Sequence, residues 1–172
     1  MISMDLAISI LRVVLGLLFI GHGAQKLFGW FGGHGLSGTA QFLESLGINP
    51  PKFWAFIAGA AEFLGGLGLA LGLFTPLAAA AIIGVMLTAI AKVHWTHGLW
   101  INNNGAEYAI VNTLLATFLA LFGPGLYALD QYLNITYPMP LTFLIGLAVA
   151  VAAVLVVLAS GRRAAQVQPR SA

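Results

Sequence analysis

The sequence predicts an all-α, polytopic membrane protein built as a bundle of transmembrane helices. Of its 172 residues, 60% are hydrophobic and only 7% are charged, whereas a soluble domain carries about 25% charged residues. Five stretches are also apolar over about the 20 residues that a helix needs to cross a bilayer. A soluble protein of this composition could not cover its surface with polar groups, so we expect the lipid bilayer to surround it.

The predicted spans are apolar runs bounded by turn residues. They cover residues 6–28, 53–74, 76–93, 106–122 and 141–159. Thr75 can cap the third helix and Pro76 suits its first position. Because the turn consists only of these two residues, the second and third helices must be antiparallel neighbours. The fourth helix ends at Gly123 and Pro124, and the fifth, the most uniformly aliphatic, begins after Pro140.

A short amphipathic segment lies between the first two spans. Phe42, Leu43 and Leu46 share one helical face, polar residues share the other, and Gly47 is a typical helix stop. The pattern predicts a helix that lies in the membrane interface at about residues 37–46.

The chain divides into three predicted regions. Residues 1–130 form the main transmembrane bundle, residues 131–160 hold a loop and the fifth transmembrane helix, and residues 161–172 form a disordered cytoplasmic tail. The N-terminus has no basic residue before its apolar run, so we expect the first helix to be retained and not cleaved as a signal peptide.

The basic residues predict the orientation of the chain. Five spans place six of them on or beside one face of the membrane. They are Lys26, Lys52, Lys92, Arg162, Arg163 and Arg170. The positive-inside rule then places this face and the C-terminus in the cytoplasm, with the protein in a bacterial inner membrane. This placement explains the net charge of +2, which therefore requires no nucleic-acid partner.

Ionisable residues inside lipid are costly, so those present indicate protein contacts or a site. His22, Lys26 and Glu62 form the candidate intramembrane site. On the helical rise per residue, His22 lies about 9 Å and Glu62 about 13 Å inside the cytoplasmic ends of their helices, so we predict that they touch. The pair either locks the first helix against the second or handles a proton or a ligand. Lys26 either joins the pair or extends outward to the lipid headgroups.

At the opposite end of the bundle, Arg12 and Asp130 are predicted to form an ion pair. Asp130 follows the fourth helix and is, besides Asp5, the acidic residue available on that side. The pair would attach the loop after the fourth helix to the first helix. We favour this structural role over a catalytic one.

A polar cluster is predicted at the cytoplasmic interface, with Lys92, His94, His97 and Glu107. Two histidines three residues apart and a carboxylate could bind iron or zinc, but histidine and aromatic residues also collect at membrane interfaces, and no metal is assigned. Glu107 also matches the dipole at the start of the fourth helix. The chain has no cysteine, which excludes thiolate metal sites, a dithiol relay and covalent haem attachment within it.

Small residues on the second helix predict close helix packing. Gly68 and Gly72 have the G-x-x-x-G spacing, and Ala61 and Gly65 precede them. This small-residue face would serve either the bundle or a homo-oligomer.

Three motifs in order resemble those of the DoxX family of small bacterial membrane proteins. They are LRVVLGLLFIGHGAQKLFG with Arg12 and Lys26, AEFLGGLGLALGLFTPLAA with Glu62, and LFGPGLYALD. From the start of the first motif to the end of the third, they span residues 11–130. The resemblance implies a four-helix bundle as the core of the fold, so the fifth transmembrane helix is an addition in this chain.

The resemblance also implies two expectations about function. The family is linked to thiosulfate:quinone oxidoreduction and to quinone stress, which implies an accessory subunit of a quinone-linked membrane redox system, with a quinone as its ligand and redox subunits as its partners. Distant vertebrate relatives act in receptor assembly, so the alternative is a scaffold with no small-molecule site. The family supplies no settled catalytic residues, and no cofactor is expected within the chain itself.

Overall fold

The computed structural model describes residues 3–167, and over this range its regular secondary structure is helical, as predicted. Residues 1, 2 and 168–172 lie outside the described range. The helices are α1 (Met4–Phe28), α2 (Gly35–Ser45), α3 (Pro51–Leu71), α4 (Thr75–Ala89), α5 (Glu107–Phe122), α6 (Leu129–Tyr132) and α7 (Leu141–Val167). Helix α2 corresponds to the predicted interfacial helix, and α6 is a single turn that the sequence did not predict.

Four helices in the described range are long and apolar enough to cross a membrane. They are Met4–Phe28, Pro51–Leu71, Thr75–His97 and Leu141–Ser160. The third of these consists of α4 and the two short helical turns that follow it. Helix α5, the fourth predicted span, is apolar but has only 16 residues. It therefore extends over about 24 Å, a little less than the hydrocarbon thickness of a bilayer.

The helix ends separate into two groups, which we call the Lys26 end and the Arg12 end. At the Arg12 end, the side chain of Arg12 contacts the last turn of α3 and the loop that follows α5. At the Lys26 end, the Asn49 amide just before α3 donates to Ser160 Oγ of α7 over 3.3 Å. The apolar helices α1, α3, α4, α5 and α7 therefore alternate in direction, as five successive spans require. The cytoplasmic location of the Lys26 end stays a prediction.

Helices α1 and α3 approach each other closely along glycine contacts. A Cβ atom at Gly66 would lie 2.6 Å from the Ile20 amide nitrogen, and one at Gly16 would lie 2.5 Å from the Ala70 nitrogen. The predicted glycine face of α3 serves other contacts. Gly68 faces Ala78 of α4, and Gly72 ends α3 in a left-handed conformation. Small residues thus bring backbones together on two sides of α3.

Helix α7 packs on α4 through small residues. A Cβ atom at Gly84 would lie 3.1 Å from the Cβ of Ala150, and one at Gly146 would lie 3.1 Å from the Cβ of Ala80. The helix continues through Val167, whereas the sequence predicted a disordered tail from residue 161; residues 168–172 of that tail lie outside the described range. Alanine, arginine and glutamine in this segment are strong helix formers.

Candidate functional site

The centre of the candidate site is a salt bridge between α1 and α3. Lys26 Nζ of α1 pairs with Glu62 Oε1 of α3, and the two side chains are 32% and 2% exposed. The close glycine contacts between α1 and α3, which we call the α1–α3 seam, bring them together. A Cβ atom at Gly59 would lie 2.8 Å from Leu27 and 3.3 Å from the Cβ of Lys26. The second carboxylate oxygen, Glu62 Oε2, is buried and has no hydrogen-bond partner in the described residues. The carboxylate is therefore committed to Lys26 through one oxygen.

His22 does not contact Glu62, so this part of the site prediction is wrong. His22 Nε2 lies 3.0 Å from Tyr108 Oη of α5, and its Nδ1 lies 3.3 Å from Gln25 Oε1. The helical rise gave His22 and Glu62 similar depths, but contact also depends on the rotation of each helix about its axis. Here α1 presents His22 to α5 and Lys26 to α3. The partner Tyr108 was missed because only its place at the membrane interface is visible in the sequence.

A shallow hollow surrounds His22 on the surface of α1. Gln25 Nε2 donates to the Phe31 carbonyl oxygen over 3.2 Å, which folds the loop after α1 back over the helix. The hollow is lined by Leu17, Leu18, Gly21, His22, Gln25 and Phe31. His22 and Lys26, predicted as one site, therefore belong to two different surfaces.

An apolar cavity of about 280 Å³ lies next to Lys26. Its walls come from α2, α3, the end of α4, and α7. Representative lining residues are Phe42, Leu46, Trp54, Ile57, Val85 and Val154. Its charged lining residues are Lys26 and Lys92. A cavity of about 150 Å³ is large enough for a benzene ring, so this one has room for a larger aromatic ring system.

Lys92 lines this cavity from a segment in which α4 changes its winding. Residues Ile90–His94 form a turn of π-helix, a feature that often marks functional positions in helices. Lys92 Nζ donates to the carbonyl oxygen of Leu46 at the end of α2 over 3.3 Å. Lys92 therefore joins the wall of the cavity and is separated from the interface cluster in which the sequence placed it.

The other members of that cluster bind backbone groups. His94 Nδ1 lies 2.6 Å from the Asn104 carbonyl oxygen, and His97 Nδ1 lies 2.9 Å from that of Val93. Since a carbonyl oxygen only accepts, both nitrogens act as donors. Glu107 accepts a hydrogen bond from the Ile101 amide over 3.0 Å. These contacts close the loop between α4 and α5. Within residues 3–167 no group of three or more His, Cys, Asp or Glu side chains is arranged to hold a metal ion.

Arg12 and Asp130 do not form the predicted salt bridge, because each side chain binds backbone groups. Arg12 is 2% exposed and donates to the carbonyl oxygens of Leu69, Ala70 and Tyr127 over 2.8, 2.9 and 2.8 Å. The guanidinium group meets carbonyl groups in the last turn of α3, where few backbone amides remain to pair with them; the Leu69 oxygen also accepts from the Gly72 amide. The loop after α5 is nevertheless attached to α1 as predicted, through Tyr127.

Asp130 binds the start of α4. Its carboxylate accepts hydrogen bonds from the Phe74 and Thr75 amides over 3.0 and 3.3 Å, because the first amides of a helix have no internal partners. Burial raises the pKa of the neighbouring Tyr137 phenol, and Asp130 raises it further, so this hydroxyl stays protonated at neutral pH. Arg12 and Asp130 thus fix the ends of two successive helices.

Comparisons with known proteins agree on one group of membrane proteins. The DoxX family model matches residues 7–95. CatD of Bacillus subtilis (strain 168), which carries a provisional oxidoreductase name, is 31% identical over 76% of this chain and 89% of its own length. The inner membrane proteins YqjF and YphA of Escherichia coli (strain K12) are 28% and 32% identical over 76% and 71% of this chain and 94% and 86% of their own lengths. No solved structure matches the chain.

Proposed function

The chain belongs to the DoxX family of membrane proteins, and from that premise we propose that it is an accessory subunit of a quinone-linked redox system in the inner membrane. In this role the cavity beside Lys26 holds the ring of a quinone. The observation that carries the proposal is an apolar cavity of about 280 Å³ with an ion-paired lysine in its wall. The provisional oxidoreductase name of CatD supports the same class of function.

The lining of the cavity fits a flat apolar ring with a few polar atoms. Small-molecule sites are mostly apolar and carry a small number of placed polar groups. Here Trp54, Phe42 and Ile57 supply apolar surface, and the lysines supply donors. Quinones carry carbonyl oxygens on such a ring, and these oxygens can accept the hydrogen bonds that lysine donates.

Lys26 would donate one of these hydrogen bonds. Its Nζ is held by Glu62, so the ammonium group is oriented before a ligand arrives and loses less freedom on binding. A hydrogen bond from a charged donor is also stronger than one between neutral groups. The chain itself would bind and position the quinone, and a partner subunit would exchange electrons with it.

The alternative function is a scaffold that assembles other membrane proteins. The close glycine contacts between α1 and α3 favour it, because such a seam gives a rigid bundle without any ligand. On this alternative the cavity serves only packing against lipid, and it has no preference for quinones.

Quinone binding to the purified protein in lipid nanodiscs separates the two functions. Trp54 lines the cavity, so a variant that keeps Trp54 as its single tryptophan reports binding by fluorescence quenching with 2-methyl-1,4-naphthoquinone. We expect saturable quenching, weakened by Lys26→Met about tenfold or more, the usual size for losing a hydrogen bond from a charged group. Lys52→Met is the matched control, since Lys52 is exposed and is not one of the residues that line the cavity.

His22→Ala tests the location of the site. His22 lines the other hollow, so we expect its loss to leave the quenching curve unchanged. Quenching that is not saturable, or that is equally strong in Lys26→Met and in the parent protein, would contradict the proposed quinone site and favour the scaffold.

A further inference from the structure

The cavity carries an unbalanced positive charge. Lys26 and Lys92 both line it, and the described lining contains no acidic residue. Glu62 lies behind Lys26 and neutralises it through their salt bridge. Lys92 has the Leu46 carbonyl oxygen as its partner, which supplies no compensating charge. The described residues of this site therefore sum to one net positive charge.

An unbalanced charge in apolar surroundings is costly unless something pairs with it. The side chain of Lys92 is half-buried, and it is placed there by the π-helical turn at Ile90–His94. An ordinary lysine at a membrane interface would extend to the lipid headgroups. Lys92 instead turns back to the C-terminal carbonyl of α2, beside apolar walls from Leu46, Val85 and Val154. The arrangement is suited to an anion that arrives with its own apolar body.

We propose that the ligand of this cavity is a quinone that carries one ionised ring hydroxyl, and that Lys92 is the residue that selects it. This inference rests on the proposed quinone function and names the class of quinone. Lys26, already paired with Glu62, contacts a neutral carbonyl oxygen. Lys92 contacts the negatively charged oxygen. A hydroxyl on a quinone ring that is conjugated through the ring double bond to a carbonyl is a vinylogous carboxylic acid. It is ionised at neutral pH, so the ligand brings the charge that the site lacks.

The size of the cavity agrees with a two-ring quinone. Its volume of about 280 Å³ is nearly twice the roughly 150 Å³ that accommodates one benzene ring. Helix α7 supplies one wall through Val149, Ala153 and Val157. That helix lies outside residues 7–95, the part of the chain that the family model matches.

A matched pair of ligands tests the inference. 2-Hydroxy-1,4-naphthoquinone is ionised at pH 7, and its methyl ether, 2-methoxy-1,4-naphthoquinone, is neutral and of nearly the same shape. Both are titrated into the single-Trp54 protein in nanodiscs of zwitterionic lipid. We expect the hydroxyquinone to bind about tenfold or more tightly than its ether, because a hydrogen bond between two charged groups is worth more than one to a neutral oxygen.

The variants assign this preference to Lys92. Lys92→Met should remove the preference while the ether still binds within about twofold, which also shows that the variant is folded, and Lys92→Arg should retain it. Equal affinities in the parent protein, or a preference that survives Lys92→Met, would overturn the inference. Oleate is added as a competitor of the hydroxyquinone. If oleate binds more tightly than the hydroxyquinone, the anion is an acyl lipid and the inference is overturned too. If neither quinone binds, the proposed function itself fails.

Discussion

Replacing Arg12 by methionine should destabilise the bundle strongly. Arg12 is 2% exposed and joins three carbonyl oxygens, two from the last turn of α3 and one from Tyr127 in the loop after α5. Methionine fills a similar volume but donates nothing. The substitution therefore removes the contact between three segments and leaves their carbonyl groups without this partner.

The size of the loss follows from these contacts. A hydrogen bond to a charged group contributes about 1.5–3 kcal/mol, so three bonds would contribute roughly 4.5–9 kcal/mol. Methionine recovers part of this, because burying a guanidinium group itself costs several kcal/mol. We therefore expect the free energy of unfolding to fall by about 3–5 kcal/mol, the hydrogen-bond contribution less the cost of burying the guanidinium group. Arg12→Lys should fall in between, since one ammonium group lacks the span of the guanidinium fork.

The measurement is an SDS titration of the protein in detergent micelles, followed by far-UV circular dichroism. Lys52→Met is the control, since it removes a cation whose side chain is exposed. A fall of less than about 1 kcal/mol for Arg12→Met would show that Arg12 does not hold the three segments together, because that is the size of a single ordinary hydrogen bond.

Two further predictions concern the α1–α3 seam and the start of α4. Gly66→Ala should lower the free energy of unfolding by about 1–3 kcal/mol through overpacking, since its Cβ would lie 2.6 Å from the Ile20 nitrogen, whereas Gly21→Ala meets nothing within 4 Å and should be neutral or stabilising. Equal effects of the two substitutions would contradict the seam. Asp130→Ala should cost about 1–2 kcal/mol in the same titration through loss of the α4 cap. Asp130→Asn, which keeps an acceptor, should cost less, and a larger loss for asparagine would argue against the cap.

The site predictions failed where they depended on helix rotation. His22 and Glu62 were paired by depth, and Arg12 and Asp130 by lying on the same side with opposite charge. In the structure, Glu62 meets Lys26, and both Arg12 and Asp130 bind backbone groups at helix ends. Helix termini expose unpaired carbonyl and amide groups, and these competed successfully with the opposite side chain for each charge.

The cavity could not be predicted from the sequence at all. Its lining comes from α2, α3, α4 and α7, and Lys92 enters it through a π-helical turn. In the sequence, Lys92 stands among His94, His97 and Glu107 and shares their interface composition. Nothing in the local pattern shows that Lys92 turns toward α2 while the other three bind the backbone of their own loop.

A helical membrane protein, the positions of its main helices and its resemblance to the DoxX family could all be predicted from the order of the residues. These properties depend on composition, on apolar runs and on local motifs, all of which are read along the chain. Three contacts appeared only in the folded bundle: Lys26 pairs with Glu62, His22 faces Tyr108, and Lys92 lines a cavity to which α7 contributes one wall. Those contacts depend on how each helix rotates and how closely its small residues let it approach its neighbours, and side-chain spacing along one helix does not contain that information.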